Sequence, residues 1–144
     1  TDREFIYRLE AAKPTTKDEL NKAWFGSYTP NPAHYDSHRY RGLNLNNVWR
    51  TGTAELRIYN GVNHAGVVKA NILLAMALAA KALTAKCAST KKPREYSETS
   101  AKYDVRVLLI SLGMNGAEFK NTRMHLLKNL PGSSAWKNGR PEGR

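Results

Sequence analysis

The pattern of apolar and polar residues changes its period along the chain, and each period predicts a different kind of element. Residues 3–11 suit a helix, with a strand as the alternative, and apolar positions at helical spacing predict a short helix from Thr16 through Trp24. Thr16 and Glu19 also match the capping box with which many helices begin. Helical spacing returns over three later stretches, at about residues 65–86, 100–112 and 115–130.

A segment in the middle of the chain alternates apolar and polar residues one by one, as β-strands do. Within residues 53–59, Leu56 and Ile58 share one face. Glu55 and Arg57 share the opposite face, about 7 Å apart. With the apolar face packed on a core, one charged group is placed to hold a cation and the other to hold an anion bound to that cation. A simple ion pair on a solvated face is the alternative interpretation.

Residues 40–46 alternate in the same way and place Asn44 on their polar face. The connection to the second strand is short, so an antiparallel pair is predicted. In that pair Asn44 lies on the same face as Glu55 and Arg57. Two strands with four or five helices predict an α+β fold, in which a small antiparallel sheet is packed by several helices.

The helix predicted at residues 65–86 is apolar on most of its circumference and rich in alanine. Lys69, Asn71 and Lys81 interrupt it, and charged residues are costly at the centre of a bilayer. The sequence therefore favours a helix buried on several sides within a soluble protein over a membrane span.

Composition adds a strong positive charge to this picture. The chain has 144 residues, with 23 Lys and Arg against 12 Asp and Glu, which gives a formal net charge of +11. Such a balance predicts attraction to nucleic acid, a nucleotide or an anionic surface. The length suits one α+β domain over residues 1–136, followed by a flexible tail over 137–144.

The single cysteine, Cys87, excludes an internal disulfide and a multi-cysteine metal site. It fits a reducing compartment, so a cytoplasmic location is expected. The first residue is Thr1 rather than methionine, which suggests a processed product or an excised fragment.

Several ordered strings in the chain resemble one family. Residues 39–45 read RYRGLNL and residues 52–61 read GTAELRIYNG, followed by the alanine-rich helix, by GMNGAEFK at 113–120 and by HLLKNL at 125–130. From about residue 11 to residue 136, this order is similar to the amidoligase family, which comprises carboxylate–amine ligases related to glutamine synthetase and γ-glutamylcysteine ligase. The resemblance implies part of a glutamine-synthetase-like catalytic domain.

The resemblance also implies roles for four residues. Glu55 and Arg57 would be the catalytic pair, with Glu55 binding Mg²⁺ and Arg57 contacting the substrate carboxylate or the transferred phosphoryl group. Arg39 and Asn44 would line the same face beside bound ATP, with Arg39 as a second phosphate contact. The implied reaction phosphorylates a small-molecule or peptide carboxylate with ATP, and an amine then displaces phosphate to form an amide or isopeptide bond.

The sequence departs from the family pattern before Glu55. Related ligases bring further metal-binding carboxylates from earlier strands, whereas the few acidic residues here lie in no acidic strand motif. The glycine-rich phosphate loops G-x-x-x-x-G-K-[ST] and G-x-G-x-x-G are also absent from the sequence. The chain is therefore expected to be the C-terminal portion of a larger ligase domain, with its site completed by an N-terminal half or by a second copy.

Two other functions remain open. The charge of +11 and the C-terminal helix pair fit a basic nucleic-acid-binding module, although the basic residues are dispersed along the chain. A non-catalytic docking fragment would instead expose an apolar face and self-associate.

Four histidines offer weaker candidates for chemistry. His34 and His38 lie four residues apart beside a carboxylate, but Pro32 and the loop composition argue against a helical metal site. They are interpreted as solvated loop residues, with a substrate contact as the alternative. His64 is expected at a helix N-terminus, and His125 is expected to be packed or exposed on the last helix.

Overall fold

A computed structural model describes residues 3–87, 95–139 and 141. Contacts divide the chain into two compact units, residues 1–60 and 61–144, and each is described by itself below. The described residues form five α-helices and one two-stranded antiparallel sheet. This confirms the predicted α+β class with a small antiparallel sheet. The assignment of residues 1–136 to one domain with a tail over 137–144 stays a prediction.

The first unit begins with two short helices, α1 (Arg3–Ala12) and α2 (Lys17–Phe25), so the helical alternative for the N-terminal segment is confirmed. The predicted capping box is also present. The hydroxyl of Thr16 accepts the backbone N–H of Glu19 at 3.2 Å, and the Glu19 carboxylate accepts the backbone N–H of Thr16 at 3.3 Å. Gly26 then ends α2 with a φ of 83°, a left-handed conformation that glycine adopts at little cost.

An aromatic pair forms the core of this unit. Phe5 and Trp24 are buried and meet edge to face, with ring centroids 4.8 Å apart. The guanidinium carbon of Arg41 lies 3.9 Å from the Phe5 centroid and 4.8 Å from that of Trp24. This cation–π contact ties the segment before the sheet to both helices, so Arg41 belongs to the core of the unit.

Two short strands, β1 (Leu43–Asn44) and β2 (Glu55–Leu56), pair antiparallel, and Asn44 lies directly opposite Glu55. The backbone N–H of Arg57 extends the ladder with a hydrogen bond of 2.7 Å to the carbonyl of the residue before β1. The predicted pairing is therefore confirmed. Both strands are shorter than predicted, with two residues each. At the first, the 3₁₀ turns Ser37–Tyr40 and Asn46–Trp49 include the two end residues of the predicted stretch 40–46.

The expectation that the apolar face of the sheet packs on a core is wrong for the described structure. Leu43 is 45% exposed and Ile58 is 53% exposed, whereas Asn44 on the polar face is 1% exposed. Leu56, on the same face, is half-buried, so the described residues cover this face only in part. On the polar face Asn44 is buried, with both ends of its side-chain amide hydrogen-bonded, whereas Glu55 and Arg57 are exposed.

The second unit contains three helices, α3 (Ala65–Thr84), α4 (Ala101–Ser111) and α5 (Lys120–Leu127). All three predicted helices are confirmed, although the last is shorter than expected because a 3₁₀ turn, Ala117–Phe119, precedes it. Helix α5 packs against both α3 and α4.

The turn between α4 and α5 is fixed by one arginine. Gly113 leaves α4 with a φ of 78°. One guanidinium nitrogen of Arg123 then donates to the carbonyls of Met114 and Gly116, at 2.9 Å and 2.8 Å. Met114 and Leu109 are buried beneath this turn, so hydrogen bonding and apolar burial hold α4 and α5 together.

The prediction that α3 is buried on several sides is wrong within the described residues. Only Ala70 of this helix is fully buried, and large side chains such as Ile72, Met76 and Leu83 are more than half exposed. Much of α3 is exposed because α5, with eight residues, is long enough to cover only part of this twenty-residue helix.

By its length and composition alone, helix α3 could cross a membrane, since its most apolar 18-residue window has a mean hydropathy of 1.6. One such helix is weak support for a membrane span, because helices covered by another protein layer have the same composition.

Candidate active site

The carboxylate of Glu55 is the centre of a small polar cluster in the first unit. One of its oxygens accepts the side-chain amide of Asn44 at 2.8 Å, and the other accepts the guanidinium of Arg57 at 3.3 Å. These three residues were predicted to share a face, and Glu55 contacts both of the others. Glu55 remains exposed, so the carboxylate is open to a ligand from solvent.

The side chain of Asn44 joins this carboxylate to the backbone after β1. Its side-chain oxygen accepts the backbone N–H of Asn46 at 2.9 Å, and this bond turns the amide nitrogen towards Glu55. Both ends of the amide are engaged, and the residue is almost fully buried. In the described structure Asn44 therefore positions the carboxylate, and its contact with a cofactor stays a prediction.

The surroundings of Glu55 favour its charged form. The hydrogen bond from Asn44 is the largest influence, and it lowers the pKa of Glu55 below the ordinary value. A slight loss of hydration opposes this effect, while the charges of Arg57 and Arg39 lower the pKa further. The carboxylate is consequently ionised at neutral pH and offers oxygen atoms to a cation.

Arg39 reaches the cluster through aromatic contacts. Its guanidinium carbon lies 5.1 Å from the ring centroid of Tyr35 and 5.7 Å from that of Tyr40, and one nitrogen donates to the carbonyl of His34 at 3.1 Å. Because its charge acts on Glu55, the structure brings this predicted residue into the electrostatic environment of the site.

Tyr40 also belongs to this cluster, although no sequence pattern had indicated a role for it. Its ring centroid lies 5.6 Å from the guanidinium carbon of Arg57 as well as 5.7 Å from that of Arg39. The available signal was the aromatic residue between two arginines in residues 39–41, immediately before the first strand.

The donor chemistry of Glu55 suits one magnesium ligand. An ionised carboxylate has about four lone-pair positions, and the described residues donate hydrogen bonds to two of them. Mg²⁺ is commonly bound by one or two protein carboxylates together with nucleotide phosphates. Among residues 3–87, 95–139 and 141, no group of three or more His, Cys, Asp and Glu side chains is arranged to hold a metal ion.

The loop histidines have separate partners. The Nδ1 atom of His34 pairs with the guanidinium of Arg50, whereas the Nδ1 atom of His38 pairs with the carboxylate of Asp36. Burial raises the pKa of Asp36, but hydrogen bonds from the backbone and ring of His38 outweigh it, and the net change is a lowering. The two imidazoles are thus held by different groups on a loop and a 3₁₀ turn.

In the second unit, His64 caps α3, as its predicted place at a helix N-terminus requires. Its Nδ1 atom accepts the backbone N–H groups of Gly66 and Val67, at 3.1 Å and 3.4 Å. The ring of His125 on α5 lies beside it, with centroids 5.1 Å apart. His64 therefore has a structural role as a helix cap, and His125 packs against it.

Comparison with known families identifies the family of the chain. The family model described as "Putative amidoligase enzyme" matches residues 1–79, which is more than half of the chain and includes both strands and the whole Glu55 cluster. The chain belongs to this amidoligase family. No curated protein and no solved structure gives a significant match. The resemblance beyond residue 79 stays a prediction.

Proposed function

We propose that this chain contributes the phosphate-binding part of an active site in an ATP-dependent carboxylate–amine ligase. Membership of the amidoligase family supports a ligase function in general terms. The observation that carries the finer proposal is the Glu55 carboxylate, which Asn44 holds ionised beside the guanidinium of Arg57.

The proposed reaction has two steps. A carboxylate oxygen of the first substrate attacks the γ-phosphorus of ATP, the bond to the ADP oxygen breaks, and an acyl phosphate forms. The nitrogen of the amine substrate then attacks the acyl carbon, inorganic phosphate leaves, and the nitrogen gives up a proton to solvent. The proposed substrates are small-molecule or peptide carboxylates and amines, and the proposed compartment is the cytoplasm.

The roles of the side chains follow from their chemistry. Arg57 and Arg39 offer planar guanidiniums that bind carboxylate or phosphoryl oxygens in pairs. Such fixed cations stabilise the charge that develops during phosphoryl transfer. Glu55 would be a ligand of Mg²⁺, which when bound links the protein to the nucleotide phosphates and offsets their charge. Asn44 keeps the carboxylate in place.

A titration of ATP with and without Mg²⁺ tests the proposal. It compares the wild-type chain with Glu55→Gln at ~150 mM salt, which screens surface charge. We expect saturable binding that requires Mg²⁺ and is weakened more than about tenfold in the variant, because a neutral amide is a poor Mg²⁺ ligand.

The matched control is Glu10→Gln, which makes the same change at an exposed position on α1 and should bind like the wild type. Absent binding, or binding that is indifferent to Mg²⁺ and to Glu55, overturns the proposal for this chain. Binding of a DNA duplex that falls steeply with salt and ignores Glu55 would favour the nucleic-acid-binding module.

A second candidate, the docking fragment, is favoured by the exposed apolar side chains of α3. Val68, Ile72 and Met76 are between 40% and 62% exposed in the described structure. Exposed apolar patches commonly mark protein interfaces. This candidate requires self-association in sedimentation velocity experiments, and Ile72→Glu should abolish it. A wild-type chain that stays monomeric over the accessible concentration range overturns it.

A further inference from the structure

Tyr40 stands between the two arginines that carry the proposed anion contacts. Their guanidinium carbons lie 5.7 Å (Arg39) and 5.6 Å (Arg57) from its ring centroid, both within the usual distance for a cation–π contact. The arginines come from different elements, since Arg39 belongs to the 3₁₀ turn Ser37–Tyr40 and Arg57 follows β2. One ring therefore joins the two elements at the site.

Burial does not explain the position of this ring. Tyr40 is 67% exposed, so hydrophobic contact with a core contributes little to holding it. Its described ring contacts are instead to the two guanidiniums. The negative face of an aromatic ring attracts such cations, which is the physical reason for an exposed tyrosine to stay beside them.

The cluster of Arg39, Arg57 and Glu55 carries a net positive charge, which favours binding of an anion. Two guanidiniums lie near one ring, and the carboxylate of Glu55 neutralises only one positive charge, through its bond to Arg57. The described hydrogen bond of the Arg39 guanidinium goes to a neutral backbone carbonyl. The pair therefore keeps a positive charge that a phosphate-containing anion would balance, and both arginines can give it forked hydrogen bonds.

We infer that Tyr40 is a positioning residue that holds the guanidiniums of Arg39 and Arg57 together as one receptor for a phosphate-containing anion. The inference rests on the proposed function, because it concerns the anion side of the same site. It adds a residue that acts through the arginines and uses its ring rather than its hydroxyl group.

The test measures the binding of inorganic pyrophosphate without Mg²⁺. Tyr40→Leu should weaken binding roughly tenfold, since two cation–π contacts are lost. Tyr40→Phe should bind like the wild type, because the ring is retained. In the Arg39→Ala background, the change Tyr40→Leu should have a clearly smaller effect, because one of the two guanidiniums that it positions is already missing.

Tyr96→Leu is the matched control, because Tyr96 is a similarly exposed tyrosine in the second unit. It should change neither pyrophosphate binding nor the thermal midpoint. The inference is overturned if Tyr40→Leu binds like the wild type, or if Tyr40→Phe binds as weakly as Tyr40→Leu.

This experiment can fail separately from the proposed function. It uses neither Mg²⁺ nor Glu55, so a failure of Mg²⁺-dependent ATP binding in Glu55→Gln leaves the pyrophosphate result readable. Conversely, ATP binding that depends on Glu55 but not on Tyr40 would retain the proposed function and overturn this inference.

Discussion

Asn44 lies opposite Glu55 in the two-stranded sheet and donates its side-chain amide to the Glu55 carboxylate at 2.8 Å. The same amide accepts the backbone N–H of Asn46 through its oxygen, so one buried side chain fixes both the loop after β1 and the carboxylate. The position and the pKa of the Glu55 carboxylate therefore depend on how Asn44 is held in the folded chain.

Replacing Asn44 with alanine should therefore affect both stability and the acid. The buried N–H of Asn46 loses its acceptor, which costs about 1–3 kcal/mol of unfolding free energy. The pKa of Glu55 should rise towards its ordinary value, because its largest lowering influence is lost. Urea denaturation and NMR titration of the Glu55 carboxyl group measure the two effects. Asn121→Ala, at an exposed position on α5, should not lower the unfolding free energy and should leave the Glu55 titration unchanged. An unaltered Glu55 titration in Asn44→Ala would contradict the assignment.

Stability should also depend on pH through Glu55. Its pKa in the folded chain is lowered from the ordinary value of 4.5. The folded state therefore gains stability from the ionised carboxylate above that value, and this gain is lost as the pH falls through the lower folded pKa. The difference in unfolding free energy between the wild type and Glu55→Gln should be largest near neutral pH and shrink below about pH 4.5. A difference that is constant from acidic to neutral pH would show that the interactions of Glu55 do not favour its charged form.

Residue alternation predicted the strand pairing but could not predict which face is covered. The alternating pattern identifies the residues that share a face, so the sequence predicted that Asn44 and Glu55 lie on the same side of the sheet. The structure added the register that places them directly opposite each other. Whether a face is buried depends on other layers of the protein. That is why Ile58 and most of α3 are exposed in the described structure, although their composition suggested a core.

The contacts of Tyr40 with Arg39 and Arg57 could not be predicted from the sequence, for a different reason. Its contact with Arg57 joins residues that are far apart in sequence, and it depends on the 3₁₀ turn that precedes β1. The spacing of apolar and polar residues does not predict a short 3₁₀ turn of this kind. The motifs identified the family, which the match over residues 1–79 confirms, whereas the side-chain contacts became visible only in the structure.

Two neighbouring arginines should give opposite results when replaced by alanine. Arg41 stacks on the buried rings of Phe5 and Trp24, so Arg41→Ala should lower the unfolding free energy by about 1–2 kcal/mol. Arg39 stacks on exposed tyrosines, so Arg39→Ala should leave stability nearly unchanged and weaken ATP binding. Thermal denaturation and ATP titration of both variants separate the two roles. Weaker ATP binding by Arg41→Ala at an unchanged thermal midpoint would place Arg41 in the binding site instead of the core.

A glycine near the start of α3 should report on the two histidines beside it. Exchanging a helical glycine for alanine usually adds about 1 kcal/mol of stability. At Gly66, however, an added Cβ would lie 2.6 Å from the Nε2 atom of His125 and 3.0 Å from a ring carbon of His64. The His125 ring would have to move away from its packed position, which offsets the gain in helix propensity.

Gly66→Ala should consequently give less than the usual stabilisation, or a net loss. In the His125→Ala background the same change should recover most of the usual gain, because the nearest obstructing atom is gone. Thermal denaturation of the wild type, the two single variants and the double variant measures this coupling. If Gly66→Ala has the same effect in both backgrounds, the His125 ring does not pack over the start of α3 as described.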